Sequence, residues 1–195
     1  MLIKTLIAVL ISYLFGCFNT GYYYTKIIYK KDIRELGSKV TGATNVGRLA
    51  GRWGFIITFF GDGVKGVLIV LLARGLGLAP WATLLAILMV LLGHIFPIQL
   101  RFQGGKGMST IFGALLTYHP PFIIMLFFTC LLLYPFVRKY TITALFALFL
   151  FPLELFFADY SFTTILFGVA YAALIIYACR SNLKDYLKDK AYQKH

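Results

Sequence analysis

Acids are scarce in this sequence. Aspartate and glutamate together number 7 in 195 residues, against 19 lysines and arginines, and the formal net charge is +12. Charged residues of either sign make up 13% of the chain, where soluble domains carry roughly 25%. That deficit, with 60% hydrophobic residues and a mean hydropathy of +0.82, excludes an ordinary soluble domain and indicates a polytopic membrane protein. In such a protein the positive excess reads as loops that fix topology, and no nucleic-acid partner is expected. Metal-binding residue types are equally thin. Cys17, Cys130 and Cys179 lie in apolar segments without ligand spacing or a disulfide framework. Three scattered histidines and seven acids give no zinc-type cluster, so neither a metal nor a cofactor is expected. The first apolar segment also lacks a small-residue cleavage site and reads as a retained span.

What is present is a succession of apolar runs. Leu2–Ile28 is the first, interrupted by Gly16 and Gly21. Asp32–Arg52 is a polar connector, Trp53–Leu72 a second span, and Trp81–Leu100 a third. Met108–Thr117 reaches only about 15 Å, half a membrane. It is either a short tilted span or a half-helix packed inside the bundle. After the break at His119-Pro120-Pro121 come Phe122–Val137, Thr141–Ala158 and Phe162–Ala178, then a basic tail from Arg180 to His195. The connector, the Arg101–Lys106 loop, the Arg138-Lys139 corner and the tail are all basic, whereas the opposite side carries only Lys4 and Arg74. The positive-inside rule puts the four basic regions in the cytoplasm and the N-terminus outside. The expectation is one all-α domain over residues 1–195. It is a membrane bundle of about seven helices, with a cytoplasmic C-terminus and its polar chemistry on one face.

The richest polar stretch is Gly93–Gly107. Gly104, Gly105 and Gly107 surround Lys106, so backbone N–H groups can approach an anion beside a full positive charge. A helix N-terminus is expected to open at Gly107. This is not a nucleotide P-loop: Leu100 occupies the position of the required first glycine, and Gly107 follows the lysine in place of Ser or Thr. In the connector, Gly37-Ser38-Lys39-Val40-Thr41-Gly42-Ala43-Thr44-Asn45-Val46-Gly47-Arg48 offers hydroxyls, an amide and a guanidinium fork, with no acid among them. The residues admit two readings there, a phosphate or carboxylate site and a helix cap with a topology-setting arginine. Asp62 and Lys65 lie inside the second span. They are a functional hypothesis by position and, at i,i+3, a self-satisfied pair. His94 is a candidate general base or, alternatively, an anchor that orients the loop.

At these motifs the chain resembles the acyl-phosphate-dependent glycerol-3-phosphate acyltransferases of bacterial membranes, the PlsY type. Gly93-His94-x-Phe96-Pro97 followed by Phe102-x-Gly104-Gly105-Lys106-Gly107 resembles that family's second motif. Gly37-Ser38 with Gly42-x-Thr44-Asn45-x-x-Arg48 resembles the first, and Asp62-x-x-Lys65-Gly66 the segment between. The resemblance implies transfer of a fatty acyl group from acyl phosphate to the 1-hydroxyl of glycerol 3-phosphate, giving lysophosphatidic acid and phosphate at the cytoplasmic face of the bacterial inner membrane. Partners are then the two substrates and membrane lipids. It assigns Ser38, Arg48 and Lys106 to catalysis. Thr44, Asn45, His94, Gly104, Gly105, Gly107, Arg180 and Asn182 are assigned to substrate binding.

Two departures stand out. Lys39-Val40 replaces the family's usual Gly-Asn. Ala178-Cys179-Arg180-Ser181-Asn182-Leu183 stands where the third motif reads Arg-His-Arg-x-Asn-Ile. Cys179 supplies no positive charge, and Lys39 is the candidate to restore it. Other readings are a divergent homologue with altered or lost acceptor use, and a membrane transporter of anions or phosphate esters. Transport predicts inverted halves or paired broken helices, and the sequence shows neither.

Overall fold

The computed structural model describes residues 2–192, and the regular elements among them are all helical. The end of the expected basic tail, residues 193–195, lies outside the described residues. The helices are α1 (Leu2–Cys17), α2 (Thr20–Ile28), α3 (Ala43–Gly75), α4 (Pro80–Ile95), α5 (Met108–Tyr118), α6 (Pro120–Val137), α7 (Tyr140–Phe157), α8 (Phe162–Ala178) and α9 (Arg180–Tyr192). Hydrocarbon cannot hydrogen-bond a backbone, so long apolar runs fold into structures that satisfy themselves. Among the described residues, five segments are long and apolar enough to cross a membrane: Leu2–Ile28, Ala43–Gly75, Pro80–Leu100, Pro120–Val137 and Tyr140–Phe157. The pair α8–α9, bent by 61°, makes a sixth if taken as one. Side-chain exposure fits lipid. In α6 only Phe122 is buried, while Phe127, Phe128, Leu131, Leu132 and Phe136 face outward. Trp53 and Trp81 are exposed near the starts of two spans, where indoles favour the membrane–water boundary.

The sequence boundaries shift in two places. The first run is two helices, broken between Cys17 and Thr20, and its glycines do not cause the break. A Cβ on Gly16 would collide with the Val90 carbonyl oxygen and one on Gly21 with that of Thr41, so both glycines are points of close approach. In the connector, helix begins already at Ala43. It turns at Gly51, whose φ of 68° and ψ of −162° are open to glycine alone, and then continues as the span.

Two compact units divide the chain between His119 and Pro120. In the first, α1 packs on α4 and α3 on α5 through small residues. A Cβ on Gly66 would strike the Thr110 carbonyl, and one on Gly113 the Gly63 carbonyl. Arg74 closes the far end of the α3–α5 pair, its Nη2 donating to the carbonyls of Thr117 (2.7 Å) and Tyr118 (3.0 Å). In the second unit α7 packs between α6 and α8. Phe122 meets Phe151 and Tyr160 edge-on at 5.5 and 5.1 Å, and Thr129 of α6 donates a hydrogen bond to Glu154 of α7.

The α3–α5 contact has no room for a branched side chain. Gly113→Val is expected to destabilise the protein by about 3 kcal/mol or more, whereas Gly75→Ala, in open space, is expected to be neutral. Thermal unfolding in detergent checks this, and equal midpoints for the two variants would contradict the packing.

Candidate active site

The site is built around the α1–α2 break. Ending one helix and starting another inside a span frees carbonyls at one end and N–H groups at the other. Lys65 and Asp62 of α3 divide that work. Lys65 Nζ donates to Phe18 O at 2.6 Å and lies 3.4 Å from Gly16 O. Asp62 Oδ1 accepts from Thr20 N, the first residue of α2, at 3.1 Å. The two side chains pair at 3.0 Å and are 3% and 2% exposed. The cation therefore sits at the C-terminal end of α1 and the anion at the N-terminal end of α2, as the helix dipoles favour. Gln99 Nε2 donates to Cys17 O at 2.6 Å and Asn19 Nδ2 to the same oxygen at 3.1 Å.

His94, on the last turn of α4, joins this network from the other side. Its Nδ1 lies 3.0 Å from Lys65 Nζ and 3.9 Å from Asp62 Oδ1. An ammonium has only donors, so Nδ1 accepts and the ring proton is assigned to Nε2. That nitrogen lies against Gly105, where an added Cβ would land on it. The glycine–lysine loop is moulded on α4: Gly104 N donates to Ile95 O (3.1 Å) and Gly105 N to His94 O (3.0 Å). These two N–H groups are thus committed within the protein. Those left to face a ligand belong to the first turn of α5, which opens after Gly107 at φ 79°. Lys106 is half-buried between them.

The connector folds around Asn45. Its Oδ1 accepts from Ser38 N at 2.9 Å, and its Nδ2 faces the carbonyls of Leu36, Val40 and Ile33 at 2.9, 3.0 and 3.2 Å. Asn45 is 2% exposed; its amide shapes the loop. Ser38, Lys39, Thr44 and Arg48 are exposed, and Thr44 and Arg48 stand one turn apart at the start of α3. Two bonds tie the connector to the glycine–lysine loop, Thr41 N to Gly104 O (3.4 Å) and Arg34 Nη1 to Leu100 O (2.9 Å). Thr41 Oγ1 also donates to Asn19 Oδ1 at 2.6 Å. Arg34 is itself clamped by Asp32, at 2.6 Å, and that guanidinium holds the Asp32 carboxyl below the usual carboxylate range.

The first unit therefore brings together Ser38, Thr44, Asn45, Arg48, His94, Gly104, Gly105, Lys106 and Gly107. Arg180 and Asn182 belong to the second unit. Arg180 is exposed and lies over Tyr177, 4.3 Å from its ring centroid. Asn182 lines a cavity of about 380 Å³ with Arg138, Lys139, Tyr140, Asp185 and Tyr186. Cys179 is fully buried at the end of α8. Asn19, Thr41, Gln99 and Thr110 were missed in the sequence, although a polar Asn19 inside an apolar run was a visible signal.

This arrangement has known counterparts. Residues 6–189 match the family model described as glycerol-3-phosphate acyltransferase. Glycerol-3-phosphate acyltransferase 1 of Bacillus cereus is 37% identical over 87% of this chain and 93% of its own. Its counterpart in Desulfitobacterium hafniense is 31% identical over 97% and 94%. This chain belongs to the glycerol-3-phosphate acyltransferase family. The crystal structure of PlsY, an integral membrane member, in its glycerol 3-phosphate form superposes with a TM-score of 0.85. The two are 31% identical, with 95% of this chain and 92% of that one covered. The lysophosphatidic acid form gives a TM-score of 0.81 at 30% identity, with the same coverage. The protein is accordingly an all-helical, multi-pass membrane acyltransferase.

Asn45→Asp would turn a donor into a carboxylate oxygen facing three carbonyls. We expect it to destabilise the connector by more than the ~1–3 kcal/mol of leaving buried groups unpaired, and to speed proteolysis between residues 33 and 42. Wild-type proteolysis rates would contradict the role given to this amide.

Proposed function

We propose that the protein transfers a fatty acyl group from acyl phosphate to the 1-hydroxyl of glycerol 3-phosphate, at the cytoplasmic face of a bacterial inner membrane. The observation that carries this reading is the joining of two loops. The exposed Ser38, Thr44 and Arg48 and the half-buried Lys106 sit on segments bonded to one another through Thr41 N and Gly104 O. Two phosphate-bearing substrates need such a pair of cationic, hydroxyl-bearing loops beside lipid. Solved relatives in glycerol 3-phosphate and lysophosphatidic acid forms support it.

Acyl phosphate is an activated mixed anhydride. The acceptor hydroxyl adds to its carbonyl carbon, and the tetrahedral oxyanion collapses by breaking the C–O bond to phosphate. The hydroxyl proton leaves on a phosphate oxygen. Atoms balance as lysophosphatidic acid plus inorganic phosphate, without a protein nucleophile. What remains for the protein is orientation and charge stabilisation. Lys106 and the first-turn N–H groups of α5 stabilise the phosphate that departs. Arg48, with Thr44 and Ser38, holds the acceptor's phosphate. Asn45 and His94 act by holding the loops that carry these groups, and Gly104 and Gly105 let the loop lie flat on α4. In the second unit, Arg180 and Asn182 are assigned to substrate on the third-motif match.

Purified protein given palmitoyl phosphate in detergent should release phosphate only when glycerol 3-phosphate is added. Lys106→Ala should lower that rate about 100-fold or more, the usual cost of one preorganised donor. Lys39→Ala should raise the KM for glycerol 3-phosphate if that residue supplies the charge missing at Cys179. Folded protein without acceptor-dependent release would overturn the proposal.

The same reading places the N-terminus outside and counts α5 as one of seven crossings. A cysteine introduced at Lys39 should then react with an impermeant thiol reagent in inverted vesicles and stay protected in intact cells. The opposite pattern would reverse the topology.

A further inference from the structure

Asp62 and Lys65 cannot meet a substrate. The three protons of the Lys65 ammonium are taken by Phe18 O, Asp62 Oδ1 and His94 Nδ1, and neither side chain reaches the surface. Stability alone is a weak reason for such a pair, because a buried ion pair can often be replaced by apolar residues at no cost. Its placement is more informative. Through Lys65 the pair fixes the His94 ring, which lies beneath Gly105. Thr110 Oγ1 donates to the Asp62 backbone carbonyl at 3.1 Å, so the first turn of α5 is bound to the same turn of α3 that carries the pair. Lys106 lies between these two anchors, one residue after Gly105 and four before Thr110. The α1–α2 break held by the same pair carries Asn19, which receives the Thr41 hydroxyl next to the Thr41–Gly104 junction of the two loops.

We propose that Asp62 and Lys65 are positioning residues for acyl transfer, acting through His94 to hold the glycine–lysine loop and its Lys106 in the geometry the reaction requires. The kinetic part rests on the acyltransferase reading; the positioning itself does not. A reacting group displaced by about 1 Å costs on the order of 100-fold in rate. Loss of the network therefore acts on turnover, while the apolar packing of α3 on α5 through Gly63, Gly66 and Gly113 keeps the fold.

The test is the neutral double variant Asp62→Asn/Lys65→Met, which leaves no unpaired buried charge. It leaves Phe18 O and His94 Nδ1 without their donor, so it is expected to fold but to unfold at a lower temperature than wild type. Hydrogen–deuterium exchange at residues 100–110 should be at least tenfold faster and kcat at least tenfold lower. A folded double variant with wild-type exchange and wild-type kcat would overturn the proposal and leave the pair a structural filler. Should that variant fail to fold, His94→Gln and His94→Leu decide. Glutamine keeps an acceptor for Lys65 and an N–H facing Gly105, so it should preserve loop protection, whereas leucine should lose it; equal protection in the two would overturn the proposal. Exchange needs no substrate. A wild-type protein that shows no acceptor-dependent release would therefore defeat the acyltransferase reading without touching this one.

Discussion

A carboxylate and an ammonium placed on either side of an interrupted helix govern the first unit. A break within a span leaves polar backbone where no water is available, and each orphaned group would cost several kcal/mol in hydrocarbon. Asp62 and Lys65 answer that cost from a neighbouring helix, each at the end whose dipole it complements. Once they are there, α1, α2 and α3 are in fixed register, and α4 and α5 follow through His94 and Thr110. The two loops that carry the exposed cations lean on this frame.

Glycine does a different job here from the one its abundance suggests. Gly51 and Gly107 do supply backbone conformations that other residues resist. Gly16, Gly66, Gly93 and Gly113 instead let one helix touch the backbone of another. Lipid gives no hydrophobic drive between helices, so close van der Waals approach takes its place. Gly104 and Gly105 belong with this second group: a side chain on either would collide with His94 or its carbonyl. The glycine–lysine loop is therefore a rigid strap over α4, and Lys106 projects from a stiff support.

Much of this was legible in the residues. Apolar run lengths located the spans, and the Gly-Lys-Gly stretch marked the loop and the start of α5. The i,i+3 spacing of Asp62 and Lys65 announced their pairing. Sequence spacing could not show partners brought in from other helices. His94 had no acid nearby in the chain, yet Asp62 lies 3.9 Å away across the α3–α4 contact. Asn45 looked like a ligand donor because an amide in a polar loop has no visible partner. Folding brings Ile33, Leu36 and Val40 around it and occupies every hydrogen. The first run reads as one span in the sequence because tertiary capping of its break by Lys65 and Gln99 has no local signature.

These bonds sort the polar residues into two kinds. Asn45, Asp62 and Lys65 are buried, bonded within the protein, and hold shape. Ser38, Thr44 and Arg48 are exposed in the connector and at the start of α3, and Lys106 is half-buried in the loop bonded to it. Burial separates two lysines: Lys65 is enclosed among carbonyls, a carboxylate and an imidazole, while Lys106 is half-buried in a loop whose neighbouring Gly104 and Gly105 N–H groups are committed to α4. A cation enclosed in that way preserves geometry, and in the proposed reaction a cation on a rigid loop meets a phosphate without the loop having to reorganise. Preorganisation of this kind is what the proposed acyl phosphate donor, already activated, leaves for the protein to supply.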